Sequence, residues 1–217
     1  MIKYPKTPRL QYVLANENVF KDWRKLKVVV SEKLDGANAG ISFDINEELQ
    51  LQSRGHILRG GARERQFDMF KAMGWTMRDA LFEALSTRYL LFGEWMYAKH
   101  HILYDKLPGY FLEYDLYDRE SDTFVTTEAR EDLLKDLPIP SAPILHRGTF
   151  GKTNNFSQYL DKSHVGDTLM EGVYIKVEDN DGVVGRMKVV RPEFEKIRDD
   201  DDDWLRRPIV FNILREQ

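Results

Sequence analysis

Apolar and polar residues alternate with period two in several stretches of this chain and fall at helical spacing between them. The β-branched run Val28-Val29-Val30 leads into Ser31-Glu32-Lys33-Leu34-Asp35-Gly36-Ala37-Asn38, and Ala39-Gly40-Ile41-Ser42-Phe43 leads out. That pattern predicts two strands joined by a tight turn at Asp35-Gly36. Leu49 to Ser53 alternates cleanly and predicts another strand, and Tyr89 to Met96 reads as a buried one. In the strand Tyr110 to Tyr117, simple alternation puts Tyr110, Leu112, Tyr114 and Leu116 on one face. Phe111, Glu113, Asp115 and Tyr117 take the other. Glu171 to Val177 and Val183 to Val190 flank Asn180-Asp181-Gly182, which is a hairpin signal.

Helical spacing appears at Phe20, Trp23 and Leu26, and over residues 64–72 and 76–87 with a break at Gly74. Thr126 to Lys135 reads as a capped helix with Pro138 beyond its end, and Phe156 to Leu160 as a helical turn. Tyr4-Pro5-Lys6-Thr7-Pro8-Arg9 is extended by its prolines, and residues 138–150 read as a proline-containing connector. Trp204 and Pro208-Ile209-Val210-Phe211 are expected to dock back onto the body. No repeat, linker or domain boundary interrupts the pattern, so residues 1–217 are expected to form a single domain. Strands with interspersed helices predict an α+β fold with antiparallel sheets.

Composition narrows the chemistry. A chain of 217 residues that is 42% hydrophobic can bury a sizeable core. The absence of cysteine excludes disulfides, thiolate metal sites and cysteine nucleophiles. No apolar leader and no 18-residue apolar run occurs, which predicts a soluble, cytoplasmic protein without a membrane partner. The net charge of −4 includes five consecutive aspartates, Asp199 to Asp203, without which the balance is +1. A near-neutral body can still carry a basic groove, so charge alone does not exclude nucleic acid.

Candidate chemistry starts with Lys33, set between Glu32 and Asp35 at a strand end. A lysine held there is either a solvated hairpin residue or, with a lowered pKa, a nucleophile. Residues 54–65 carry four arginines and three glycines, which suits an anion-binding loop as well as a solvated basic one. Glu94 lies among large apolar side chains and needs a partner or a ligand, because burying a lone charge is costly. His100-His101 reads as a substrate-facing loop rather than a metal site, and the aspartate run as a solvated turn.

Taken in order, Lys33-Leu34-Asp35-Gly36, Ser53-Arg54-Gly55, Phe92-Gly93-Glu94-Trp95, Tyr114-Asp115, Glu171-Gly172-Val173-Tyr174-Ile175-Lys176 and Arg186-Met187-Lys188 resemble the motif series of the covalent nucleotidyltransferases. These comprise the ATP-dependent DNA and RNA ligases and the mRNA capping enzymes. Glu32, Asn38 and Gly93-Glu94-Trp95 make the nick-sealing RNA ligases of small bacterial and phage type the nearest in character. The resemblance spans roughly residues 31–192. It implies an adenylyltransferase (ATP-grasp-like ligase) domain: α+β, two antiparallel sheets flanked by helices, with the ATP pocket between them. Only 25 residues follow residue 192, so no OB-fold domain is expected.

The resemblance further implies that Lys33 attacks the α-phosphate of ATP to form lysyl-AMP. Lys188 and Glu171 would be the other catalytic groups, and Glu171 would hold Mg²⁺ or Mn²⁺. Glu32, Asp35, Asn38, Arg54, Glu94, Tyr114, Lys176 and Arg186 would bind the nucleotide, with Glu94 on the ribose and Tyr114 stacked on adenine. The expected partners are RNA ends, together with an end-processing protein. Two departures stand out. Arg186 occupies a position that is usually lysine, and Glu171 and Lys176 are five residues apart, so serving one pocket would need a bulge or strong twist. A minimal ATP-dependent DNA ligase, a GTP-using guanylyltransferase and a non-catalytic nucleotide- or RNA-end-binding module are the alternatives.

Overall fold

The computed structural model describes residues 1–151, 154–195 and 208–216. In chain order its elements are α1 (Leu10–Leu14), α2 (Glu17–Trp23), β1 (Lys27–Lys33), β2 (Ala37–Phe43) and β3 (Leu49–Ser53). A 3₁₀ turn (Ala62–Phe67) leads into α3 (Asp68–Thr76), α4 (Arg78–Leu85), β4 (Tyr89–Trp95), β5 (Phe111–Asp118) and β6 (Thr123–Phe124). Then follow α5 (Thr127–Leu134), β7 (Ile144–Thr149), a second 3₁₀ turn (Phe156–Tyr159), β8 (Gly172–Glu178) and β9 (Val183–Val190). Two antiparallel sheets result, a four-stranded one ordered β7-β1-β8-β9 and a five-stranded one ordered β3-β2-β4-β5-β6.

The predicted hairpin at Asp35-Gly36 does not form. β1 lies between β7 and β8 in one sheet, and β2 lies between β3 and β4 in the other. Leu34-Asp35-Gly36 therefore crosses from sheet to sheet. Each strand is buried and already has two partners, so neither has a free edge for the other. The Asp35 carboxylate, instead of closing a turn, accepts from the backbone N–H of His101 at 2.7 Å and of Ile102 at 2.8 Å.

Alternation decides what each sheet presents. On the four-stranded sheet Val28, Val30, Val173, Ile175, Val177 and Met187 form one core with Phe150 and Phe156, covered by Leu10, Val13, Phe20 and Trp23 of the first two helices. Its opposite face carries Ser31, Lys33, Tyr174, Lys176, Arg186 and Lys188; Tyr174 pairs across with Lys188, and Lys176 with Arg186. On the five-stranded sheet Ala39, Ile41, Phe43, Leu91 and Trp95 pack against Phe70, Leu81, Leu85 and Leu134 of the helices. Asn38, Phe92 and Glu94 take the other face. The two polar-bearing faces confront one another, and the Tyr4 ring sits between them, 5.0 Å from Phe92 and 5.4 Å from Tyr114.

Local differences from the sequence reading have physical causes. Residues 138–150 are more than a connector, because Ile144–Thr149 pairs with β1. Gly74 lies inside α3 and the break falls at Met77; a methyl on Gly74 would stand 2.9 Å from Leu51, so glycine there allows helix and sheet to approach. In β5 the alternation slips: Phe92 pairs with Asp115 but Gly93 with Glu113, leaving Tyr114 as an extra residue. Phe111 and Leu116 consequently share one core. The capped helix is found as read, with Thr126 accepting from the Ala129 N–H at 3.2 Å. Pro208 to Phe211 docks through the Lys99 N–H to Val210 carbonyl bond at 2.8 Å. Trp204 and Asp199 to Asp203 lie outside the described residues. Among those described, no helix is long and apolar enough to cross a membrane.

Candidate active site

A cavity of about 710 Å³ opens between the confronting faces. Glu32, Lys33, Asp35, Asn38, Arg54, Glu94, Tyr114, Glu171 and Lys188 all line it. Lys33 ends β1 directly opposite Gly172 at the start of β8, which places its Nζ 2.6 Å from the Glu171 carboxylate. Burial on its own would lower the Lys33 pKa, but the carboxylates of Glu171, Glu94 and Asp35 outweigh it and hold the ammonium above its usual range. For Glu171 burial prevails over the pull of Lys33, so its pKa is raised. Three acids, Glu171, Glu94 and Asp35, thus surround the Lys33 amine.

Glu94 approaches from the other sheet and accepts from the Gly36 N–H at 3.2 Å. Burial pushes its pKa up to about 8; Lys33 opposes the rise, while Glu171 and Asp35 add to it. Gly36 serves this approach by its lack of a side chain, not by backbone freedom, since its φ is not positive. Asn38 donates to the Tyr114 hydroxyl at 2.6 Å, and its own amide oxygen is buried without a hydrogen-bond partner. Arg54 stands at the end of β3, where Ser53 and His56 are joined at 3.0 Å.

Some of the sequence candidates have their side chains engaged by neighbours. Glu32 alternates to the face of β1 opposite Lys33, where its carboxylate accepts from the Ser163 hydroxyl at 2.6 Å and the His164 N–H at 2.8 Å. Asp35 is occupied by His101 and Ile102, and its N–H donates to the buried Tyr104 hydroxyl at 3.0 Å. Lys176 and Arg186 are not among the lining residues. Lys176 shares the cavity-side face of β8 with Tyr174 but sits two residues deeper, 3.2 Å from Asp115. The Arg186 guanidinium lies over the rings of Phe124 and Tyr4, at 4.3 and 5.2 Å.

Tyr4 was not singled out by the sequence, yet it lines the cavity, and its hydroxyl reaches Asp115 at 2.6 Å and Tyr174 at 2.9 Å. A lone tyrosine before a proline carries no periodic signal; only the pairing of Pro8 with Lys188 shows why the segment lies there. Among the described residues no group of three His, Asp or Glu side chains converges as a metal site, and His100-His101 forms none.

The RNA ligase family model matches residues 26–190. The chain is similar to solved structures of the Naegleria gruberi RNA ligase. With PPi the TM-score is 0.63 at 20% identity, covering 92% of this chain and 58% of that one. A lysine-to-alanine mutant of that ligase with ATP and Mn gives 0.60 at 19%, covering 91% and 59%. A glutamate-to-alanine mutant with AMP and Mn gives 0.61 at 18%, again covering 91% and 59%. The chain therefore spans less than three-fifths of the length of these structures. No curated protein matches it.

Proposed function

The chain belongs to the RNA ligase family, and on that footing we propose that it joins RNA 3′-OH and 5′-phosphate ends with ATP through a Lys33–AMP intermediate. In the first step the neutral Lys33 amine attacks the α-phosphorus. The N–P bond forms, the bond from the α-phosphorus to the bridging oxygen breaks, pyrophosphate leaves, and the amine gives up a proton. Next, an oxygen of the RNA 5′-phosphate attacks the same phosphorus; the N–P bond breaks and the lysine regains its proton. Finally the 3′-OH attacks the phosphorus of the activated 5′-phosphate and gives up its proton; the O–P bond to AMP breaks, and the phosphodiester and AMP result. Positioning and charge neutralisation carry all three displacements.

The observation that carries this reading is the Lys33 amine in the cavity, 2.6 Å from Glu171 and facing Glu94 from the other sheet. What keeps it protonated is the surrounding carboxylates; once their charge is neutralised, burial favours the neutral amine. A surplus of buried carboxylate oxygens suits Mg²⁺ or Mn²⁺, with Glu171 as the protein ligand and Glu94 nearby. Such an ion supplies charge neutralisation to Glu171 and the phosphates. Lys188 and Arg54 offer cations to the phosphates, Glu94 accepts from the ribose hydroxyls, and Tyr114 with Asn38 faces the base. Lys176 and Arg186 act from behind, through Tyr114, Asp115 and Tyr4.

The test is incubation with α-labelled ATP and Mg²⁺ or Mn²⁺, then denaturing electrophoresis, with Lys33→Ala alongside. A covalent label on the wild type that vanishes in the variant is the expected result. Retained ATP binding without label would make the chain a nucleotide-binding module instead. Sealing of nicks with RNA or DNA 3′-OH ends, and competition by GTP, separate the DNA ligase and guanylyltransferase alternatives.

A further inference from the structure

The extra residue in β5 is Tyr114 itself, and the two residues beside it in sequence are buried acids. Glu113 pairs with the Arg130 Nε of α5 at 3.1 Å, and Asp115 pairs with the Lys176 Nζ of β8 at 3.2 Å. Both cations are 3% exposed, and both donate to one acceptor, the backbone carbonyl of Tyr114; Lys176 does so at 3.2 Å. Ser141 donates to Glu113, and Glu178 accepts from the Thr127 N–H at 3.0 Å, fixing the start of α5 to β8. Just before the bulge β5 packs closely on β4: a methyl on Gly93 would stand 2.5 Å from Phe111 and 2.6 Å from the Leu112 carbonyl. Burying so many charges is a poor way to gain stability, since desolvation offsets much of the attraction. It does fix one backbone conformation at one residue. Tyr114 is the residue that this conformation aims into the cavity, half-buried and bonded to Asn38.

We propose that Arg130 is a positioning residue for nucleotide recognition: with Glu113 it holds the Tyr114 bulge, so that the ring lies where the base of ATP stacks. This rests on the reading of Tyr114 as the base-stacking side chain. Arg130 touches neither substrate nor reacting atoms and acts only through Tyr114. Lysine at this position keeps the charge but not the planar fork that reaches Glu113 and the Tyr114 carbonyl together.

The experiment is a double-mutant cycle with Arg130→Met, Tyr114→Ala and the pair, read as KM for ATP and maximal rate of self-adenylylation. Arg130→Lys and Glu113→Gln run alongside, and melting checks that each variant is folded. Arg130→Met alone is expected to raise KM about tenfold with a much smaller change in maximal rate, and to add less than about twofold on top of Tyr114→Ala. Glu113→Gln, which frees the guanidinium from its partner, is expected to shift KM the same way, and Arg130→Lys to fall between. A full, multiplicative Arg130→Met effect in the Tyr114→Ala background overturns the proposal, as does an unchanged KM in folded Arg130→Met. If Arg130→Met does not fold, the cycle is run with Glu113→Gln and the same criteria decide. If the wild type binds ATP without becoming labelled, the ligase reading fails, and the cycle read as ATP Kd still decides the positioning role. If it binds no ATP, both fall.

Discussion

A single methyl group at Gly36 tests whether the crossing between sheets is as tight as it looks. A methyl there would stand 2.6 Å from the Met96 Sδ, 2.8 Å from the Trp95 carbonyl oxygen and 2.9 Å from the Glu94 Cγ. Met96 can turn its thioether aside, but the Trp95 carbonyl belongs to β4 and cannot. Overpacking of this kind costs about 1–3 kcal/mol. Weakening the Gly36 N–H bond to Glu94 adds about 1 kcal/mol. Against this, alanine restricts the unfolded chain and returns about 0.4–1 kcal/mol. Gly36→Ala should therefore lose about 1–3 kcal/mol net, a fall in Tm of roughly 2–12 °C for a chain of this size. Because the clash falls on Glu94, KM for ATP in self-adenylylation should rise as well. Gly55→Ala is the internal control, since nothing lies within 4 Å of its methyl position. Urea unfolding of both variants, with m unchanged, is the assay. If Gly36→Ala unfolds at the wild-type midpoint and keeps its KM, the close approach of Glu94 to the crossing is refuted.

Two further expectations concern pH. Glu94 is held protonated up to about 8, against 4.5 for the free group. Between these values the native state binds more protons than the unfolded one, so this group's contribution falls as pH rises, by at most about 1.4 kcal/mol per pH unit. Urea titrations from pH 5 to 8 should show that slope shrinking in Glu94→Gln; an unchanged slope would mean the carboxylate is not desolvated. Asp118 behaves oppositely: two bonds from Arg88, at 2.9 and 2.6 Å, hold it down to about 2 from 3.8. Its stabilisation is present above about 3.8 and lost as pH falls through 2, so the Tm deficit of Asp118→Asn should be clear at pH 7 and vanish in acid. A deficit that persisted unchanged at pH 2 would point to packing instead of charge.

The strands were legible because their alternation is strong: Leu49 to Ser53 and the β8–β9 hairpin stand where the pattern places them. Phe20 and Trp23 do lie on a helix, although it starts earlier, where Asn16 accepts from the N–H groups of Asn18 and Val19. Lys33, Glu94, Tyr114, Glu171 and Lys188 were marked in the sequence, and the fold brings them to one cavity. What the sequence could not show is non-local. Asp35-Gly36 has the composition of a hairpin turn, but whether adjacent strands pair depends on which other edges reach them first. The slip at Tyr114 inverts the second half of β5, and the two cations that bond its carbonyl, Arg130 and Lys176, come from other elements of the chain. Lys176 was read toward the nucleotide by its motif; it has the cavity-side face of β8, but lies deeper than Tyr174 and is engaged by Asp115.

The three-residue crossing also divides the labour between the sheets. Lys33, Glu171 and Lys188 belong to the four-stranded sheet or its edge, while Asn38, Glu94 and Tyr114 belong to the five-stranded one. A nucleotide that answers both sets is a strut between two walls, and free ATP at about a hundred times its Kd would add about 2.7 kcal/mol to the folded state. Free ligand lends that rigidity only while its concentration lasts. AMP bonded to Lys33, as proposed, could not be diluted away, so adenylylation would keep the brace in place until the nucleotide passes to RNA. The charged enzyme would then meet RNA as a stiffer body than the one that first took up ATP.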